Sequence, residues 1–179
     1  MNYLKNYYNN IVKYDLINKF QYKNVNKLPS IHTVILSFNY KNPKLKQLIS
    51  SLIALELITA QKPIFIKSNV PIITLKIRKG NPVGCKITLR NYSLNNFLSK
   101  LMNEIFCDPK LIRSHKKLNH KNFLPVFTLK LKNNLNFKVL ETHYQIFKDL
   151  SNLNIVLITN STNFSEFLFL LKSYKILNK

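Results

Sequence analysis

Acidic residues are nearly missing from this 179-residue chain: seven Asp and Glu stand against 28 Lys and Arg, a formal net charge of +21 with neutral His. Glycine is scarcer still, limited to Gly80 and Gly84, tryptophan is absent, and there are two cysteines, Cys85 and Cys107. Each shortage excludes something. Seven carboxylates, with no pair spaced to meet on one element, leave acid/base catalysis little to work with. Ser and Thr are common but lack a nucleophile elbow, so no enzymatic activity is expected. Two glycines cannot compose a dinucleotide fingerprint, and no GK[ST] follows them as a Walker A loop requires. Two lone thiols without a CxxC argue against a disulfide framework and fit a reducing compartment. Cys107 with His115 and His120 matches no standard zinc spacing and lacks a fourth ligand, so neither metal nor cofactor is expected. No apolar run reaches the roughly 18 residues of a spanning helix. The opening MNYLKNYYNN has no apolar h-region and no Arg-rich presequence.

What is present is a chain that is 46% hydrophobic, long enough to fold as one domain, 1–179, with a genuine core. Its charge lies far above the magnitude of about 2 to 8 that suits a small soluble domain. A polyanion must neutralise it, and nucleic acid is the natural one, because each phosphate paired with Lys or Arg releases condensed counterions. A membrane surface usually demands a concentrated basic amphipathic helix, whereas the lysines here are spread over nearly every segment. No membrane partner is expected. Part of the Lys, Asn and Ile excess reflects A/T-rich codons, but such drift does not explain the shortage of acids.

Periodicity outlines the fold. Residues 3–20 read as an amphipathic helix with Leu4, Tyr8, Ile11 and Tyr14 on one face. Ile31 to Phe38 is β-rich, and Asn42-Pro43 opens a helix with a stripe of Leu45, Leu48, Ile49, Leu52 and Leu55. Strands are expected at Ile64 to Ser68, Ile72 to Lys79 and Val83 to Arg90. The last alternates cleanly, with Val83, Cys85, Ile87 and Leu89 toward a core and Lys86, Thr88 and Arg90 opposite. Ser93 is placed as the cap of a helix through Leu94, Phe97, Leu98, Leu101 and Ile105. Residues 107–123 read as an exposed basic loop, followed by a strand near Phe127 to Leu131. Leu153 to Thr159 is a strand, and Thr162 or Asn163 caps a helix with Phe164, Phe167, Leu168, Leu171 and Tyr174 inward, Asn163 and Glu166 having capping-box spacing. Helices interleaved with consecutive strands make an α+β domain: a mixed or antiparallel sheet, helices on one face, the other face concave, basic and free.

Both glycines fall in Gly80-Asn81-Pro82-Val83-Gly84, where they mark a tight turn in a basic hairpin near 66–84. Tyr7, Tyr8 and Tyr14 are read as helix-packing residues rather than base-stacking ones.

LITAQKP from Leu57 to Pro63, and LKIRKGNPVGCKITLR from Leu75 to Arg90, closely resemble the bacterial-type large-subunit ribosomal protein five family, which binds 5S ribosomal RNA. LKNYYNNIV near the start, LPSIHTVILSF from Leu28 and the strand-helix ending extend the resemblance along the chain. It implies a sheet face held against 5S RNA, or an organellar substitute, in the central protuberance among neighbouring ribosomal proteins and large-subunit RNA. It also implies a loop reaching the elbow of the peptidyl-site transfer RNA and a bridge to a small-subunit head protein. Gln61 and Thr88 match family positions on the RNA face, with Lys62, Lys86 and Arg90 beside them. Ser37 is grouped with that face, although Thr33 and Ser37 stand where the family shows Lys and Asn. Lys67, Lys76, Arg78, Lys79, Gly80, Asn81, Pro82 and Gly84 correspond to the transfer-RNA loop. His115-Lys116-Lys117-Leu118 replaces a glycine-containing loop, so bridging contacts from that region are not carried over. With the codon drift, the resemblance implies an organelle-encoded copy, mitochondrial with plastid as the alternative. The rival reading is a non-ribosomal RNA-binding or maturation factor on the same basic sheet.

Overall fold

A computed structural model describes residues 3–41, 43–105, 112–115, 125–131 and 134–176. Six strands form one sheet in the order β2-β3-β1-β6-β5-β4, every neighbour pair antiparallel. They are β1 (Ile31–Asn39), β2 (Ile64–Lys67), β3 (Pro82–Leu89), β4 (Ile112–His115), β5 (Val126–Leu131) and β6 (Leu153–Thr159). The helices are α1 (Tyr3–Tyr7) and α2 (Lys13–Phe20), joined by a π-helical turn over Tyr8–Val12, then α3 (Leu45–Thr59), α4 (Asn91–Glu104), α5 (Lys138–Glu141), α6 (Tyr144–Phe147) and α7 (Phe164–Ser173).

Alternation sets the two faces of the sheet. Val34, Leu36 and Phe38 of β1, Cys85, Ile87 and Leu89 of β3, Phe127, Leu129 and Leu131 of β5 and Leu153, Ile155 and Leu157 of β6 are all buried. They form one core with buried side chains of α1 to α7, including Leu55, Phe97, Leu140, Phe147 and Phe167. β-Branched and aliphatic residues at every second position satisfy the strand period while filling a single apolar layer. The expected α+β architecture with helices on one face is what the chain builds.

Local chemistry explains several departures from periodicity. The first helical segment buries Leu4, Val12 and Leu16 and leaves Ile11 and Tyr14 exposed, so the row expected through Ile11 and Tyr14 is displaced. Steps of four residues from Leu4 to Leu16 would rotate around a regular α-helix by about 120°. The π turn between α1 and α2 has wider i to i+5 bonding and keeps the row on one side. Tyr7 and Tyr8 help pin it: their hydroxyls donate to the Ser173 carbonyl at 3.1 Å and the Pro29 carbonyl at 3.0 Å. Leu16→Ala should therefore lower stability by about 2–3 kcal/mol through a buried cavity, whereas Tyr14→Ala, at 61% exposure, should change it by less than about 0.5 kcal/mol. Equal effects in urea denaturation would contradict this phase.

α3 starts at Leu45 behind Lys44, with the Gln47 Oε1 accepting from the Lys44 backbone N–H at 3.2 Å; the expected Asn42 cap lies outside the described residues. Its core stripe is Leu48, Ser51, Ala54, Leu55 and Ile58, while Leu45 and Ile49 face outward. The Cys85 thiol lies against this helix, 3.2 Å from the Ser51 hydroxyl, and burial pushes its pKa up, partly offset by that hydroxyl. α4 begins at Asn91, two residues before the expected Ser93 cap. Asn163 does not cap the backbone of α7; its Nδ2 donates to Glu166 Oε1 at 3.0 Å, a side-chain contact in place of a capping box. Leu170 rather than Leu168 joins Phe167 and Leu171 in the core.

Two strand expectations change. Ile72 to Lys79 is not a strand: Ile72 and Ile77 exchange backbone hydrogen bonds at 2.9 and 3.1 Å around a 3₁₀ turn, Ile73–Leu75. Within 107–123, expected as loop, β4 forms and pairs with β5. Cys107 and His120 lie outside the described residues.

Candidate nucleic-acid interface

The sheet face turned away from the helices is built by the other half of each alternation. Antiparallel register aligns its side chains in rows. One row runs Ile64, Lys86, Ser37, Asn154 and Lys130 across β2, β3, β1, β6 and β5. The next runs Thr88, Ile35, Val156 and Thr128. Along the ladder, Arg113 of β4 pairs with Lys130 of β5. Lys86 and Lys130 are exposed, and Ser37, Thr88, Asn154, Ile35 and Val156 are half-buried. In this arrangement two ammonium groups flank a centre of hydroxyl, amide and methyl groups.

The described acidic residues are confined to the helical side, which also carries Lys5, Lys13, Lys19, Lys46, Lys100, Lys138 and Lys172. Of the acidic residues in the described segments, Asp15, Glu56, Glu104, Glu141 and Glu166 lie on helices and Asp149 follows α6. None lies on a described strand, so no described carboxylate shares the open face with its cations. That face also holds no aromatic ring among its described positions. Flat stacking of splayed bases, the device of aromatic RNA-binding sheets, is therefore not available to it. Hydroxyl and amide groups between lysines suit the shallow groove of a duplex, where 2′-hydroxyls and phosphates are displayed.

Of the residues expected on an RNA face, Lys86, Thr88 and Ser37 come together there, in adjacent rows. Arg90 is exposed immediately beyond β3, and Lys62 is exposed in the link between α3 and β2. Gln61 is directed elsewhere: its Nε2 donates to the Ser93 hydroxyl of α4 at 2.7 Å, tying the link after α3 to α4. Lys130, Thr128 and Asn154 join this face beyond the expected residues. A signal was available in VFTLKL, where Thr128 and Lys130 alternate with apolar residues, whereas in LNIVLIT Asn154 stands alone before a continuous apolar run.

The hairpin between β2 and β3 carries the second group. Ser68 knits its base: its N–H donates to the Asn81 carbonyl and its carbonyl accepts from the Gly80 N–H, both at 2.9 Å, and its hydroxyl donates to the Arg78 carbonyl at 2.6 Å. Lys67, Lys76, Arg78 and Lys79 are exposed around it, and Lys76 adopts a left-handed φ of 53°. Ile73 at the tip is 91% exposed. Gly80, at φ 89°, makes the turn. Gly84 does not: it and Pro82 lie within β3. A Cβ on Gly84 would collide with the Phe38 carbonyl oxygen of the neighbouring strand. The two glycines thus serve different needs, one a dihedral angle and the other a close approach of backbones.

Among the described residues there is no cluster of three or more His, Cys, Asp or Glu able to hold a metal, and no helix long and apolar enough to cross a membrane.

No family model matches the chain. It is, however, 36% identical to the large ribosomal subunit protein uL5m of Reclinomonas americana, over the whole of both chains. It is 33% identical to uL5 of Nitrosomonas europaea over 96% of each chain. It is 32% identical to uL5c of Oedogonium cardiacum over 96% of this chain and 94% of that one.

Proposed function

Because the chain belongs to the uL5 family, and is a structural constituent of the large ribosomal subunit, we propose that its open sheet face holds 5S ribosomal RNA, or the segment that substitutes for it, in a mitochondrial ribosome. The observation that carries this reading is that the described acids are confined to the helical side, leaving the cations of the open face without a described acidic neighbour on the sheet. Described acids stand in the helical layer or just beyond it, and the open face presents Lys86 and Lys130 around Ser37, Thr88 and Asn154. An RNA helix laid across it meets cations at its phosphates and hydroxyls and an amide at its 2′-hydroxyls. The basic hairpin projects from the edge of the same sheet, and its four cations suit the backbone of a second RNA, the peptidyl-site transfer RNA. A place in the central protuberance also brings the protein beside the head of the small subunit.

Cosedimentation of the full chain with large subunits, followed by crosslinking to identify the RNA, tests the assignment. The expected result is a crosslink from β1 or β3 to 5S RNA or its substitute; a chain found free of large subunits supports a maturation factor instead. Arg78→Glu with Lys79→Glu should leave subunit incorporation intact and weaken transfer-RNA binding about tenfold, through two lost phosphate contacts and added repulsion. Unchanged transfer-RNA affinity in filter binding would remove the hairpin from this role.

A further inference from the structure

Two residues beyond each inward position of the first helical segment stands an exposed one: Asn6 after Leu4, Asn10 after half-buried Tyr8, Tyr14 after Val12 and Asn18 after Leu16. A step of two residues turns a helix by about 200°, so these four side chains point away from the core. The π turn that keeps the buried row on one side keeps this row aligned as well. From Asn6 to Asn18 it extends about 18 Å. Lys5 and half-buried Lys13, each one residue before a member of the row, flank it on one side. Lys19, one residue after Asn18, flanks it on the other, its ammonium held 4.5 Å over the Phe169 ring of α7. Acids are sparse on this part of the helical side: α1, the π turn, α2 and α7 carry exposed Asp15 and buried Glu166.

The amides of the row serve nothing inside the chain. Elsewhere the side-chain amides of Asn95, Asn134 and Asn160 donate to backbone carbonyls and that of Asn163 to Glu166, whereas Asn6, Asn10 and Asn18 make no hydrogen bond to the described residues. Asparagine is a poor helix former, because its amide competes for backbone groups. Three of them weaken this helix without a compensating contact. Codon drift supplies Lys and Asn alike, and it does not select amides for the centre of the row and ammonium groups for its flanks. An amide, like a 2′-hydroxyl, both donates and accepts. A neutral row of such groups between lines of lysine matches the wide, shallow groove of an RNA duplex, where 2′-hydroxyls lie between two phosphate strands. Anionic lipid would require an apolar face and a stable protein interface an apolar centre, but the centre here is amide and phenol. We propose that the outward face of the first helical segment is a second RNA surface, laid along the shallow groove of a duplex on the helical side of the protein. It goes beyond the reading of the sheet and does not depend on what the sheet binds.

The full chain carrying Lys86→Glu and Thr88→Glu, whose sheet face repels phosphates, is titrated with an RNA duplex of about 16 base pairs, the span of a groove-reading domain, and with a DNA duplex of the same sequence. Binding to RNA should persist, weaker than that of wild type and at least about fivefold tighter than to DNA, the equivalent of one lost hydrogen bond to a 2′-hydroxyl. Adding Asn6→Ala, Asn10→Ala and Asn18→Ala should weaken this residual RNA binding at least about tenfold. The same three changes should raise Tm by a few degrees, because alanine is the better helix former. A structural role for the amides would move stability the other way. RNA affinity unchanged by the three alanines overturns the proposal, as does equal affinity for RNA and DNA or a folded sheet variant that binds no duplex. A sheet variant that binds as tightly as wild type and loses that binding with the alanines removes the sheet from RNA binding and upholds the helix. In assembled large subunits, photoreactive p-benzoylphenylalanine in place of Asn10 should crosslink to RNA; crosslinks to protein alone overturn the assignment.

Discussion

Gly84→Ala should destabilise the protein by about 3–5 kcal/mol, among the largest effects of any single methyl group added to it. The added carbon would meet not a flexible side chain but the Phe38 carbonyl oxygen, with Asn39 Cα and Oδ1 close behind. Gly84 is opposite Asn39 of β1 on one side and Ile66 of β2 on the other. Relief of the collision therefore requires β3 to separate from β1, breaking ladder hydrogen bonds on the strand that also carries Lys86 and Thr88. In a domain of this length, a loss of that size lowers Tm by roughly 10 °C. Gly80→Ala is the informative comparison. Nothing stands within 4 Å of its new carbon, and the cost is only that of a left-handed φ of 89°, about 1–2 kcal/mol. Differential scanning calorimetry of the two variants checks the order; a Gly84→Ala protein as stable as Gly80→Ala contradicts the packing described.

Lys86→Glu with Thr88→Glu should leave the fold intact and reduce RNA affinity by about 50-fold or more at physiological salt. Both side chains lie on the sheet face away from the core, so neither change opens a cavity. Two carboxylates would be introduced on a face whose described positions hold none, one of them beside Ile35 and Val156 at its centre. The loss has two sources: a phosphate contact at Lys86 disappears, and each new charge repels the phosphates that remain. Because the first is counterion release, the slope of log affinity against log salt should fall by about 0.9 for each phosphate contact removed from a duplex. Circular dichroism with filter binding across a salt series separates these effects from unfolding. A folded double variant that binds 5S RNA as the wild type does would assign the interface to another surface.

The alternation of PVGCKITL was sufficient to predict both the buried face of β3 and the company of Lys86 and Thr88, because a strand has a period of two whatever it pairs with. The strand expected at Leu153 to Thr159 is β6. Helical rows were less secure. Tyr14 and Ile11 followed the expected period, yet the π turn moved the row to Val12 and Leu16, and no residue in YNNIV announces such a turn. Pairing partners also lay beyond reach. That Asn154 and Lys130 share a row with Ser37 and Lys86 depends on β6 lying between β1 and β5, and β1 and β6 are more than a hundred residues apart in the chain. Gln61 shows the converse: it sits in the LITAQKP run that carries the family resemblance, but its amide is engaged by Ser93.

The scarcity of acid and the abundance of lysine are properties of composition, and by themselves they determined that the partner is a polyanion. So too did local periodicity determine an α+β chain with one apolar layer. Where the charges stand was decided only by the tertiary structure. Helices and strands carry their polar residues outward in any fold, but only the stacking of the helices on one side of the sheet gathers the described helical acids in that layer and leaves Lys86 and Lys130 facing none. The same holds for the two glycines. Their spacing was legible, whereas the approach of the Phe38 carbonyl, which makes Gly84 irreplaceable, exists only once β1 lies against β3.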